Sequence, residues 1–322
     1  MPSPAAAPEV QKARIAEYRE LTKDFPVRGV WLYIGAYDRR ISPDELLDCI
    51  QEFGFNRIYC FITSETQMDE DLENFLETAG KRKIPVEIAM DVFHFYPRKA
   101  GNMFLRHLRP ASPAIPEMVE RILKLKNDSS SPYRHLAGIT IAANIHSFNS
   151  SNLDYPADGL FVWDEHSYGP GLDNDQMMKM TLNMLRDLPP FPAGMQLTIG
   201  VPDHYSELVR EGKLTCGTAE DFAAVREPEA KIILLSGGNR PTQTVKLAED
   251  EMKSPKLAPA SIMLVQQIPS HPAITDARMR RRDWKDFMRI TRYVRDKAGK
   301  MRNFGGIVTG PLVLFKILQM EP

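Results

Sequence analysis

A regular alternation of two sequence patterns restricts the fold of this chain more than any other feature. Short runs with period-two or continuous apolar character read as strands. They occur at Arg28–Gly35, Arg57–Thr63, Pro85–Val92, Ala137–Asn144, Gln196–Val201, Lys231–Ser236, Ser261–Gln267 and Gly305–Thr309. A helical segment precedes each run. The first is Glu9–Leu21, and the second starts at Ser42-Pro43-Asp44-Glu45 and stops at Gly54. The others are Asp69–Lys81, Ile115–Lys126, Asn174–Leu188, Ala219–Val225, Thr242–Lys253 and Asp283–Ala298. Ser42-Pro43-Asp44-Glu45 has the form of a capping box with proline at the first helical position.

Strands separated by helices select a parallel sheet with crossover connections. Eight such units in 322 residues fit a single closed (β/α)8 TIM barrel. An open doubly wound sheet is the competing arrangement, but no GxGxxG follows the first strand and no break in composition marks a second domain. The expected organisation is a partly helical N-terminal extension over residues 1–24 and one barrel domain over residues 25–322.

Composition removes several classes of function. Lys and Arg total 41 against 42 Asp and Glu, and a net charge of -1 gives no general attraction to nucleic acid or to a membrane surface. No run reaches the roughly 18 apolar residues of a membrane span. Cys49, Cys60 and Cys216 are few and widely spaced, so neither a disulfide framework nor a zinc site is expected; Cys49 and Cys60 fall within apolar patterns as core residues. Met1 to Pro8 is rich in Pro and Ala and lacks the charged start and apolar run of a secretion signal. The compartment stays open between the cytoplasm and secretion with a signal already removed.

In a barrel of this kind the reactive groups stand at the C-terminal ends of the strands. Two post-strand segments are long, Phe93–Ala114 after strand three and Ile145–Asp173 after strand four, and long loops in compact domains are usually functional. Strand three itself alternates Val86, Ile88, Met90 and Val92 with Glu87, Ala89 and Asp91, which sends the acidic set to the barrel interior and leaves Asp91 at its mouth. Parity at the other strand exits selects Trp31 and Tyr33, then Tyr59, Phe61 and Glu65, then Asn144 and His146, then His204 beside Asp203, and strand seven ends in Gln266-Gln267. His94 follows strand three, and the strand-four loop carries Trp163, Asp164 and Glu165. Rings beside carboxylates suit a sugar, whose apolar face stacks and whose hydroxyls bond to acids, but the same rings also suit plain packing of a loop on the rim.

Four chemistries are compatible with these residues. Glycoside hydrolysis requires two carboxylates, here Asp91 with Glu165, or with Asp164, Asp203 or Glu65. A sugar-phosphate isomerase or aldolase would use the glycine turns Ser236-Gly237-Gly238 and Thr309-Gly310-Pro311, and anions would favour Arg98, Lys99, Arg106 and Arg109. Arg280, Arg281 and Arg282 read more simply as solvated surface charge. A metal enzyme could draw on Asp91, His94, His146, His204 and His271, but no HxH or HExxH spacing supports it, so neither a metal nor another cofactor is expected. The fourth possibility is a barrel that binds glycan without catalysis.

Gly29-Val30-Trp31-Leu32, followed by Glu52-Phe53-Gly54-Phe55-Asn56-Arg57-Ile58-Tyr59, resembles the opening of many (β/α)8 glycoside-hydrolase-like domains. The resemblance implies a carbohydrate or other small polar substrate. It is specific only from strand one to strand two; beyond that it rests on the repeat pattern. Such barrels commonly place an acid at the end of strand four, where this chain reads Ala142-Ala143-Asn144-Ile145-His146. Either the second acid comes from a loop, or hydrolysis has been lost. The expected site is therefore Asp91 with Glu165, and Asp203 in reserve. Tyr33, Glu65, His94, Asn144, His146, Trp163, Asp164, His204 and Gln267 would bind substrate.

Overall fold

The computed structural model describes residues 8–33, 42–62, 65–92, 114–143, 174–202, 205–226, 230–235, 245–246, 249–267 and 284–310. Eight strands, each parallel to its neighbours, close in sequence order into a barrel. The strands are β1 (Val27–Tyr33), β2 (Arg57–Phe61), β3 (Val86–Asp91), β4 (Leu136–Ala142), β5 (Gln196–Pro202), β6 (Ala230–Leu235), β7 (Ile262–Gln267) and β8 (Phe304–Gly310). The helices are α1 (Pro8–Thr22), α2 (Pro43–Glu52), α3 (Glu70–Lys81), α4 (Ala114–Asn127), α5 (Asn174–Arg186), α6 (Tyr205–Arg210), α7 (Ala219–Ala224), α8 (Glu249–Lys253) and α9 (Trp284–Lys297). The alternation read from sequence is thus the (β/α)8 barrel. The short helix α6, directly after β5, was not announced by apolar periodicity.

Local chemistry accounts for the helix starts. Ser42 accepts from the Glu45 backbone N–H at 3.2 Å while the Glu45 carboxylate accepts from the Ser42 N–H at 2.9 Å, the capping box that the sequence predicts. Asp69 caps α3 through the Leu72 N–H, and Thr218 with Asp221 forms a second box at α7.

Strand alternation divides the core in two. The outward set, including Ile88, Met90, Ile139, Ile141, Ile199, Val201, Ile232 and Leu234, packs with Leu47, Phe75, Val119, Leu185 and Phe287 of the helices. The inward set, Trp31, Tyr59, Phe61, Ala89, Ile233, Met263, Val265 and Val308, fills the barrel itself. Gln266 belongs to the outward set: its amide donates to the Phe287 carbonyl at 3.1 Å and its oxygen accepts from Thr291. Only Gln267 of that pair therefore shares the inward parity.

The seam between β8 and β1 is covered by α1. Tyr18 is buried there, stacked on Phe287 at 5.7 Å, and its hydroxyl hydrogen-bonds the Thr309 hydroxyl at 2.9 Å. Glu17 accepts from the Trp284 indole N–H at 2.9 Å, which ties α1 to α9.

Candidate functional site

The register of the strands sorts the interior into layers. In an eight-stranded barrel of shear eight, a given height climbs one residue per strand, so each layer draws four residues from alternate strands. Followed through the observed pairings, this rule gives Trp31, Ala89, Gly200 and Val265 as one layer. The next layer toward the C-terminal mouth holds the positions of Phe61, Ala142, Leu235 and Gly310. The layer above that, the outermost formed by strand residues, holds Tyr33, Asp91, Pro202 and Gln267.

Tyr33, Asp91 and Gln267, named from the sequence at three strand exits, thus have strand positions in one layer at the C-terminal mouth. Of these three the strand positions are described, and their side chains lie outside the description. Asp91 ends β3 opposite Ala142 of β4, and Gln267 ends β7 opposite Gly310 of β8.

Beneath that layer lies an aromatic floor. The Trp31 ring stacks on Phe61 at 5.6 Å and 30°, and on Tyr59 at 6.4 Å and 28°. These rings stand on β1 and β2, whereas Ala142 and Gly200 on β4 and β5 present almost no side chain. The floor is therefore bulky on one side and shallow on the other. Gly29 makes room for the lowest ring: a Cβ there would sit 2.6 Å from Cε2 of Tyr59. Tyr59 donates to the Met263 sulfur at 3.3 Å, and burial, reinforced by the Glu87 charge, pushes its phenol well above the ordinary range. It is a packing residue and not an acid–base group.

Glu65 lies shortly after the C-terminal end of β2. It begins a short 3-10 turn after β2, and its carboxylate lies 3.6 Å from Arg121 of α4 with part of its surface in solvent. That pairing gives it a structural partner outside the barrel. Glu165, Asp203, His94, Asn144, His146, Trp163, Asp164 and His204 lie outside the described residues, as do His271, the four basic residues after β3, Arg280–Arg282 and Ser236–Gly238. Among the described residues no group of three or more His, Cys, Asp or Glu could hold a metal, and no helix is long and apolar enough to cross a membrane.

At the opposite mouth a second polar group is fully described. Glu87, completely buried, accepts from Arg57 Nη1 at 2.6 Å and from Thr140 Oγ1 at 2.6 Å, and Arg57 also donates to Gln196 at 2.8 Å. Sequence reading placed Glu87 deep in the barrel but gave it no partners. The signal is in the strand patterns: Arg57, Thr140 and Gln196 share inward parity, Arg57 and Gln196 as the first residues of β2 and β5.

No protein-family model matches the chain, and no curated protein matches it in sequence. Solved structures similar to it include a GH18 chitinase from Pseudoalteromonas aurantia, at 13% identity and TM-score 0.48 over 89% of this chain and 97% of that one. The GH53 catalytic domain of Ignisphaera aggregans matches at 11% identity and TM-score 0.43, over 96% of this chain and 87% of that one. Haloferax volcanii malate synthase matches at 11% identity and TM-score 0.37, over 91% and 71%. These are likenesses of barrels; the chemistry of this chain is argued from its own residues.

Proposed function

We propose that the C-terminal mouth of the barrel is a carbohydrate site and that the protein is a glycoside hydrolase-like enzyme using a carboxylate pair. The observation that carries this reading is the coincidence of Tyr33, Asp91 and Gln267 in one layer above the stacked rings of Trp31 and Phe61. Rings accept the apolar face of a sugar, and amide, phenol and carboxylate satisfy its hydroxyls. Asp91 is one catalytic carboxylate. Its partner is Glu165, from the segment that follows β4, with Asp203 immediately after β5 as the alternative.

The division of labour follows from the chemistry of acetals. One carboxyl gives its proton to the departing oxygen, and the other carboxylate either attacks the anomeric carbon or takes a proton from water. A separation of about 5–5.5 Å selects retention and about 6.5–9.5 Å selects inversion. Asn144, His146, Trp163, Asp164, His94 and His204 flank the same mouth in sequence and would orient the sugar.

Turnover of a panel of aryl glycosides and oligosaccharides by the wild type and by Asp91→Asn tests the proposal. The variant should lose at least about a hundredfold in kcat with its melting temperature unchanged. A variant that unfolds while keeping its activity per folded molecule would make Asp91 a structural carboxylate. One observation favours a second reading: β4 ends in Ala142 and is followed by Ala143-Asn144, so its exit carries no acid. Glycan retention on an array, without turnover of any member of the panel, would select a binding barrel.

A further inference from the structure

The sheet alone does not join the exits of β4 and β5. Across a parallel pair, a residue donates its N–H to one carbonyl of the neighbouring strand and accepts from the N–H two residues further along that strand. Ala142 pairs with Gly200, and the next residue, Ala143, donates to the Gly200 carbonyl at 2.7 Å. The bond that completes this set would reach the Ala143 carbonyl from the N–H of residue 202, which is proline and has none. Ala143 has no exposed surface, so its carbonyl cannot turn to water instead.

A side chain supplies the missing donor. The Tyr205 hydroxyl donates to the Ala143 carbonyl at 3.0 Å, and Tyr205 is fully buried. Tyr205 is the first residue of α6, which begins three residues after Pro202. The next residue, Ser206, donates to Glu251 of α8, whose carboxylate also accepts from the Ala219 N–H of α7 at 2.9 Å. One residue of α6 is thus tied to the helical layer and its neighbour to β4. We propose that the Tyr205 hydroxyl stands in for the ladder donor that Pro202 lacks, and that Tyr205 is a positioning residue that sets the β4 exit against the β5 exit. The segments it joins carry the mouth. Asp91 pairs with Ala142, one residue before the braced carbonyl, and Asn144 follows that carbonyl in the chain. Asp203 and His204 are the two residues between Pro202 and Tyr205. The consequence for turnover rests on the reading of this mouth as a glycoside site; the brace itself does not.

Two substitutions test the proposal. Tyr205→Phe removes only the donor, and Pro202→Ala returns a backbone N–H to the same carbonyl. Deuterium uptake by the full chain is read by mass spectrometry on peptides covering residues 136–141 and 142–146. Tyr205→Phe should speed exchange in the second peptide at least about tenfold and leave the first unchanged. In the Pro202→Ala background the same substitution should change neither by more than about twofold. For a glycoside that the wild type hydrolyses, kcat should fall at least about fivefold in Tyr205→Phe and recover in the double variant. Tyr18→Phe, which also strips a buried phenol of its hydroxyl, should keep the wild-type kcat. Unchanged exchange in Tyr205→Phe, or faster exchange that Pro202→Ala does not reverse, would overturn the brace. Should Tyr205→Phe fail to fold, recovery of folding in the double variant supports the proposal and its absence overturns it. Faster exchange with kcat unaltered would overturn the positioning role. A wild type that turns over no glycoside would refute the function proposed for the mouth, and the exchange measurements would still decide the brace.

Discussion

Removing Arg57 should expose how the N-terminal half of the barrel interior is held. Glu87 has no exposed surface, and its two oxygens are committed to Arg57 and Thr140, each at 2.6 Å; the Arg57 side chain is only 24% exposed. Arg57→Met keeps most of the aliphatic length but leaves a buried carboxylate with a single neutral donor. Breaking one side of a buried ion pair typically costs about 3–5 kcal/mol, because the remaining charge keeps its desolvation penalty and loses its compensation. Replacing the set together, as Arg57→Met, Glu87→Met and Thr140→Val, removes every group that needs a partner except Gln196, which retains partial access to solvent. The triple variant should recover most of the loss, since well-packed apolar residues often equal a buried pair. Urea unfolding followed by circular dichroism measures both. A single-variant loss below about 1 kcal/mol, or a triple variant no more stable than Arg57→Met, would refute the reasoning.

Three smaller perturbations address other parts of the fold. Gly29→Ala should destabilise by about 1–3 kcal/mol, since its Cβ would meet the buried Tyr59 ring at 2.6 Å; thermal unfolding decides, and an unchanged midpoint would mean the ring has space to move. Tyr18→Phe leaves the buried Thr309 hydroxyl without its partner and should cost about 1–2 kcal/mol in the same assay. Glu251 of α8 accepts from Ser206 and from the Ala219 N–H, yet burial holds its pKa above the usual value. A folded pKa above the unfolded one gives stability that is complete below the unfolded value near 4.5 and lost as pH rises through the folded value. Glu251→Gln should therefore match wild type at pH 4 and lose less stability between pH 4 and pH 7; parallel profiles would count against it.

The sequence carried the frame of this protein because barrel strands and their helices are local patterns. Ile88, Met90 and Val92 announce the outer face of β3 without any knowledge of its neighbours, and Ser42 to Glu45 fixes a helix start from four residues. Parity also brought Tyr33 and Asp91 to one mouth, since period two survives closure of the sheet. Pairings across the barrel were harder to read. Arg57 meets Gln196 over a separation of 139 residues, and only the register says that they are neighbours. Gln266 and Gln267 look alike in sequence, yet the first serves α9 and the second has the inward parity of the barrel. The proposed carboxylate partner of Asp91 is the least legible part, because Glu165 belongs to a segment without periodicity, where neither face nor height can be counted.

The clasp between Tyr18 and Thr309 joins positions 291 residues apart, and β1 meets β8 along Val27–Val30 and Gly306–Thr309. A nascent chain therefore carries its first strand with one flank unpaired until β8 has been synthesised. Until then the sheet has two open flanks, both able to recruit a strand from another molecule. Of the elements near that gap, α1 is made first, and it already holds the Tyr18 ring that packs with Phe53 and Phe55 once α2 and the turn after it are complete. The helix can therefore shield the waiting edge of β1 during synthesis, and removing it should lower the yield of soluble protein more than it lowers the melting temperature of the molecules that do close.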